Sequence, residues 1–394
     1  MENYGLILTI CAAIVLAFIA GVAMRRIGLS PILGYLLAGV AMGPFTPGFV
    51  GDINLAMQLA EIGVILLMFG VGLKFSLADL WAVRLIAVPG ALVQMCAATG
   101  LGYLFGTLIG LPLAESLMLG FSLSVASTVV LLRELEDRRL IKSQAGQISV
   151  GWLVMEDLAI VLAIVLLPML AANADAGFSQ ATLTAIGVTL LKIAGFAALM
   201  LIVGARVFPW LIMMVAHLKS RELLSLGTLA LALGMAAAAY FVFDTSFALG
   251  AFLAGVALNS TKFSQKIAED SQPFRDTFAV LFFVSVGMLF DPSTLLRSPV
   301  EVAVVVAIIV LGKGVAALLI TSAFRLPLES GLMVAAALAQ IGEFSFVLAG
   351  MGRALDLMSS ETYNVILAGA LISIALNPFL FRLIRAKPEP APAP

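Results

Sequence analysis

The chain has 394 residues, of which 62% are hydrophobic and only 11% charged, and its formal net charge is −1. A soluble domain carries about 25% charged residues, so this composition excludes an ordinary globular protein and indicates a polytopic membrane protein. HExxH, CxxC and GxSxG motifs are absent from the sequence, so neither metal nor hydrolytic chemistry is signalled.

About 20 apolar residues span a bilayer, with polar punctuation between spans. Thirteen segments are predicted, near 4–23, 31–43, 55–73, 84–108, 112–132, 147–171, 181–207, 222–241, 246–260, 274–290, 300–324, 329–352 and 362–384. No positive region precedes the first, so it reads as a spanning helix rather than a cleavable signal peptide. Cys11 in the first and Cys96 in the fourth lie within apolar runs and are expected to be buried core residues. Glu61, near the start of the third, either reaches the interface or lines an entry funnel. The fifth segment contains FSLSVASTVV (121–130), which sets Ser122, Ser124, Ser127 and Thr128 at mid-depth. Ordinary packing of hydroxyls at a helix interface would explain one or two of these. Four in seven residues favour an unwound stretch, whose carbonyls and hydroxyls can coordinate a small cation.

The sixth segment, ISVGWLVMEDLAIVLAIVLLPMLAA (148–172), holds Glu156 and Asp157 in mid-run. A carboxylate at that depth costs about 2.5–3.5 kcal/mol, and such residues mark ion or proton routes. Adjacent helical positions point about 100° apart, so the two acids do not easily share one ligand. One is expected to face the broken spans and the other a neighbouring span. Lys192 in the seventh segment is near enough to a helix end to snorkel. His217, beside Lys219 and Arg221, reads as a solvated loop residue. Lys313, in VAIIVLGKGVAALLI (306–320), lies too deep to snorkel and needs a carboxylate, for which Glu156 is the candidate. The twelfth segment contains ALAQIGEFSF (337–346), with Gln340, Gly342 and Glu343. Gly342 permits a backbone break. Glu343 then reads as a charge compensator at a half-helix N-terminus, with a second ion ligand as the rival reading.

Loop charges and internal repetition bear on the count. Under thirteen spans the odd loops and the C-terminus carry 18 Lys and Arg and the even loops only Arg297 and Arg353. The positive-inside rule therefore sets the N-terminus outside and the C-terminus in the cytoplasm. LGYLLAGVAM (33–42) matches LGAFLAGVAL (249–258) at seven of ten positions, and VGLKFS (71–76) meets VGMLFD (286–291) at nearly the same offset. The broken fifth segment then overlays the broken twelfth. Six spans, one linking span and six more make the halves inverted, the sequence pointer to a secondary transporter.

With LGYLLAGVAMGPFTPG, the SVAST break, WLVMEDL, ALGAFLAGVALN, FFVSVGMLFDP, LGKG and AQIGEFSF in place, the whole chain resembles the monovalent cation/proton antiporter superfamily. It is most similar to the branch with glutathione-gated potassium-efflux antiporters and related sodium/proton exchangers. The resemblance implies that Asp157 alternately binds a cation and a proton. The position before it is Asp in some sodium/proton members, where it pairs with a lysine, and Gln in the potassium-efflux members. Glu156 with Lys313 is similar to an electrogenic arrangement with a longer acid. The resemblance also implies a dimerising scaffold of spans 1–3 and 8–10, and a moving core of spans 4–6 and 11–13. Potassium-efflux members often continue into a cytoplasmic dinucleotide-binding domain. No GxGxxG follows a strand here, which leaves any gating to a regulatory subunit or a missing cytoplasmic regulatory domain.

The expected fold is thus an all-α polytopic membrane protein of 13 transmembrane helices, two inverted six-helix repeats with crossed discontinuous helices. Residues 1–387 form the exchanger domain: scaffold about 1–75 and 222–290, core about 84–172 and 300–385, linking span about 181–207. Residues 388–394 form a disordered Pro-rich tail. Asp157, Glu156, Ser127 and Thr128 are the expected cation and proton ligands, with Lys313, Glu343 and Gln340 compensating charge at the breaks. The expected activity is exchange of K⁺ or Na⁺ for protons across a bacterial inner membrane. It needs no cofactor in this chain and no metal beyond the transported cation. Its partners are the cation, the proton, membrane lipid and a second copy in a homodimer, with no nucleic acid. The rivals are a gated monovalent cation channel, against which the absence of a filter-like carbonyl motif argues, and an intramembrane carboxylate enzyme. Adjacent acids are poor geometry for the latter, because dyad carboxylates must face each other.

Overall fold

The computed structural model describes residues 5–74, 77–140, 143–172, 180–218, 220–243, 246–259 and 264–384; a few side chains inside these ranges, Glu343 among them, lie outside the description. Among the described residues every regular element is a helix. In chain order these begin with α1 (Gly5–Arg26), α2 (Pro31–Met42), α3 (Ile53–Lys74) and α4 (Leu77–Leu108). Next come α5 (Leu113–Ser124), α6 (Thr128–Asp137) and α7 (Gln144–Ala172), then α8 (Gln180–Leu199), which runs through a π-turn (Met200–Gly204) into α9 (Ala205–His217). The second half contains α10 (Arg221–Phe243), α11 (Phe247–Asn259), α12 (Ser264–Met288), α13 (Thr294–Arg297) and α14 (Pro299–Ala307), the last joined by a π-turn (Ile308–Gly312) to α15 (Lys313–Ala323). The chain ends in α16 (Leu328–Leu338), α17 (Glu343–Ala354) and α18 (Ser360–Leu383). Eight described spans are long and apolar enough to cross a membrane, and α2, α5, α11 and α16 are shorter apolar helices.

Several predicted boundaries move by about a turn or more, among them the fourth segment, which begins at Leu77 rather than 84, and the fifth, which runs to Asp137 rather than 132. The tenth segment begins at Ser264 rather than 274, and the seventh continues to His217. Before 274 a polar, charged stretch stays helical ahead of the apolar run, because hydropathy reports membrane depth rather than the end of a helix; residues 208–217 are themselves apolar and extend the seventh segment as one helix. Cys11 and Cys96 are exposed, not core. So are Phe18, Leu191 and Phe241, at 69%, 73% and 78%. For a membrane protein the surroundings are as apolar as the interior, so an apolar neighbourhood in sequence does not imply burial.

The same stops recur in both halves. Leu-Pro-Leu at 111–113 and at 326–328 precedes or opens a half-helix, after left-handed residues Gly110 (φ 82°) and Arg325 (φ 57°). Leu111 N donates to Gly106 O at 2.9 Å and Leu326 N to Thr321 O at 3.0 Å, the six-to-one bond of a Schellman stop. After α6 and α17 the left-handed residues are Arg139 (φ 58°) and Asp356 (φ 56°). Their stops are Leu140 N to Leu135 O and Leu357 N to Gly352 O, both at 2.8 Å.

Contacts divide the chain into two units. One is Met1–Ile10, Asp52–Ser76 and Val161–Ser285; the other is Cys11–Gly51, Leu77–Ile160 and Val286–Pro394. In the first, Gly72 of α3 lies against Phe252 O of α11, where a Cβ would also fall 3.0 Å from Gly255 Cα. In the second, Gly287 of α12 lies against Leu36 O of α2, where a Cβ would fall 3.0 Å from Gly39 Cα. These four positions are related by the offsets of the sequence repeat, so matching glycines make matching close approaches. The second unit also holds both helix breaks, above a core that includes Trp152, Leu131, Leu135, Val334, Leu338 and Phe381.

Candidate ion site at two crossed helix breaks

Helix α5 stops at Ser124 and α6 starts at Thr128; α16 stops at Leu338 and α17 starts at Glu343. The unwound residues cross and satisfy one another. Gly342 N donates to Val125 O at 3.3 Å. The Gln340 amide accepts from Ser127 N and donates to Ser127 O, both at 3.1 Å, acting as a strand partner would. Ser345 Oγ donates to Val125 O at 3.4 Å. A Cβ on Gly342 would fall 2.6 Å from Ser127 Cα and 2.8 Å from Ser127 N, so glycine is needed here for close approach.

Each end of a half-helix presents unpaired backbone groups and a partial charge. The side chains around the crossing answer those charges. Glu156 Oε2 accepts from Ala126 N at 2.7 Å, beside the positive start of α6. Asp157 Oδ2 accepts from Thr128 Oγ1 at 3.1 Å at the same helix start. Ser127 Oγ accepts from Val130 N at 3.2 Å and so caps α6. Lys313 Nζ donates to Gln340 O at 2.9 Å, on the carbonyl side past α16. Asn377 Nδ2 donates to Ala336 O at 2.8 Å on the same helix end. Glu156, Lys313 and Gln340 are fully buried, and Asp157 is 3% exposed. Glu156 Oε1 has no hydrogen-bond partner among the described residues.

The structure therefore brings Asp157, Glu156, Ser127, Thr128, Gln340 and Lys313 to one crossing. The expected pairing of Glu156 with Lys313 acts across the crossing rather than by contact. The two charges attract each other, but among the described residues no ion pair within 4.0 Å joins them. Each instead takes a backbone partner on a different break, because a helix end offers opposite charge without a second ionised side chain. Glu343 begins α17, and the compensating role expected of its carboxylate lies outside the described residues. Glu61 is exposed on α3, Lys192 is exposed on α8, and His217 sits exposed in the last turn of α9.

Gln94 of α4 escaped the sequence reading. It is fully buried, and its Nε2 donates to Ser124 O at 2.9 Å, the carbonyl end of α5. Its Oε1 has no hydrogen-bond partner among the described residues. A lone amide in a 32-residue apolar helix was the available signal, and the repeat gives it meaning: Gln94 serves α5 as Lys313 serves the end of α16.

A family model described as "Sodium/hydrogen exchanger, transmembrane" matches residues 14–385. The chain belongs to the sodium/hydrogen exchanger family. It is 53% identical over 382 residues to YbaL of Escherichia coli (strain K12), named as a candidate cation/proton antiporter, covering 96% of this chain and 68% of YbaL. It is 34% identical to K(+) efflux antiporter 4 of Arabidopsis thaliana, covering 97% of this chain but 64% of that protein. The glutathione-regulated potassium-efflux system protein KefC of Salmonella paratyphi B is 32% identical, and the match covers 93% of this chain and 58% of KefC. The chain thus spans between about three fifths and two thirds of these relatives' length. The solved sodium proton antiporter MjNhaP1 of Methanocaldococcus jannaschii shares the fold, with a TM-score of 0.76 over 98% of both chains at 16% identity.

Proposed function

We propose that this member of the cation/proton antiporter family exchanges K⁺ or Na⁺ for protons by alternating access. The observation that carries the reading is Asp157, a carboxylate 3% exposed in a span and held by Thr128 at the start of a half-helix. A carboxylate there can hold a proton or a cation but not both, so one site opposes the two fluxes. Thr128, the break carbonyls and Glu156 supply further oxygens for the cation. Lys313 and Gln94 hold the two carbonyl ends, so that the crossing keeps its shape whichever ion is bound.

The finer architecture is part of the same proposal. The matched stops and matched glycine approaches support two six-span repeats, and the odd linking span, α8 through α9, makes them inverted. Thirteen spans then set the C-terminus in the cytoplasm of a bacterial cell, with the N-terminus outside. A homodimer through a scaffold of about 1–75 and 222–290, with core spans at about 84–172 and 300–385, rests on the family resemblance, as does a separate regulatory part. The test is cation-dependent proton movement in proteoliposomes, scanned over Li⁺, Na⁺, K⁺ and Rb⁺. Wild type should exchange at least one of these, and Asp157→Asn should be folded and inactive. Cation-driven proton flux retained by Asp157→Asn would remove the single-carboxylate mechanism.

A further inference from the structure

We propose that the cation site extends past Asp157 to a second station at the first break, formed by Gln94 Oε1 and Glu156 Oε1. Both residues are fully buried in the unit that holds the crossing. Helices α4 and α7 pack along one stripe, with Gly90 against the Trp152 ring and Gly151 against Val83 and Ala87. Residues four apart share a helix face, so Gln94 follows Gly90 and Glu156 follows Trp152 on the facing stripes. The two side chains then grip adjacent peptide groups, one on either side of Val125. Gln94 Nε2 donates to Ser124 O at 2.9 Å, and Glu156 Oε2 accepts from Ala126 N at 2.7 Å.

Each grip uses one end of the side chain. Gln94 Oε1 and Glu156 Oε1, the other ends, have no hydrogen-bond partner among the described residues. The amide cannot be turned to relieve this, because Ser124 O would then face an oxygen. Lys313 attracts Glu156 from the second break, but its ammonium is bonded to Gln340 O. Two buried acceptors held beside one residue are costly unless a guest of positive character serves both. The carbonyl end of α5 adds partial negative charge at the same place. A carboxylate oxygen, an amide oxygen and the C-terminal end of a half-helix are donors that a small monovalent cation takes inside a membrane. Along the break the station lies at residues 124–126, and Asp157 lies at Thr128. A cation can therefore wait beside Asp157 while that carboxylate carries its proton. This consequence for exchange rests on the proposed function, whereas occupancy of the station does not.

The experiment is anomalous diffraction from crystals of the full chain soaked at alkaline pH in thallous nitrate, Tl⁺ being a strong scatterer that stands in for a monovalent cation. Exchange is assayed in proteoliposomes from the same preparation. The expected result is an anomalous peak in contact with Gln94 Oε1 and Glu156 Oε1, separate from a peak at Asp157. An ordered water there without anomalous signal, or no density between the two oxygens, overturns the station. In Gln94→Leu the station peak should vanish while the Asp157 peak stays. Loss of both peaks would make Gln94 a support for the break rather than a ligand, and would also overturn the proposal. Gln94→Glu, which keeps an oxygen at that place, covers the case in which the leucine variant does not fold. It should retain the station peak, and a peak at Asp157 alone would count against the station. Tl⁺ at the station without exchange of any cation would uphold the station and remove the proposed function. Exchange by wild type with Tl⁺ at Asp157 alone would do the reverse.

Discussion

At the first break the carbonyl end of α5 meets the neutral amide of Gln94, and the start of α6 meets Glu156 and Asp157. At the second, the carbonyl side past α16 meets the ammonium of Lys313 and the amide of Asn377. The backbones are alike, down to matched stops and matched left-handed residues, but the charges are not. Repetition supplies a geometry in which oxygens converge, while departure from it sets the described carboxylates Glu156 and Asp157 at one break and the Lys313 ammonium at the other. On the proposed function, the ion ligands lie in that asymmetry, on a frame that both halves share.

Four substitutions test that comparison, from the largest expected effect to the smallest. Lys313→Met leaves Gln340 O without its donor and should cost about 3 kcal/mol or more of stability. Lys313→Gln, which copies the amide used at the first break, should recover about half of that loss. Thermal unfolding of both variants checks this, and equal losses would mean that the charge rather than the donor is what α16 needs. Gln94→Leu should cost about 1–2 kcal/mol by leaving Ser124 O unpaired. It should also raise the cation KM, since the break beside Asp157 loosens. The smallest effect concerns coupling. Because Glu156 and Lys313 attract each other across the crossing without touching, a double-mutant cycle of Glu156→Gln with Lys313→Met should give a coupling of about 1 kcal/mol. A coupling of several kcal/mol would restore the direct pair that the charges alone suggest.

What was legible beforehand divides along physical lines. The spans were legible because length and apolarity are what a bilayer selects. The breaks at Ser127 and Gly342 were legible because hydroxyls and a glycine at mid-depth have few other uses, and Asp157 because a buried carboxylate is expensive. The partners of Glu156 and Lys313 were not, since a string of residues displays ionised side chains but not the partial charges at helix ends. Gln94 was invisible for a related reason: one amide in an apolar helix reads as interhelical glue until the carbonyl it serves is located. Cys11 and Cys96 were misjudged because apolar company marks lipid as readily as core.

The central claim is that one carboxylate, Asp157, holds either a proton or the cation. The most direct measurement is the cation KM for exchange in proteoliposomes as a function of pH on the acid side of the activity optimum. One-for-one competition predicts that KM rises about tenfold for each pH unit of acidification while the maximal rate at saturating cation holds steady. A KM that stays constant while the maximal rate falls would place proton and cation on different groups and contradict the account.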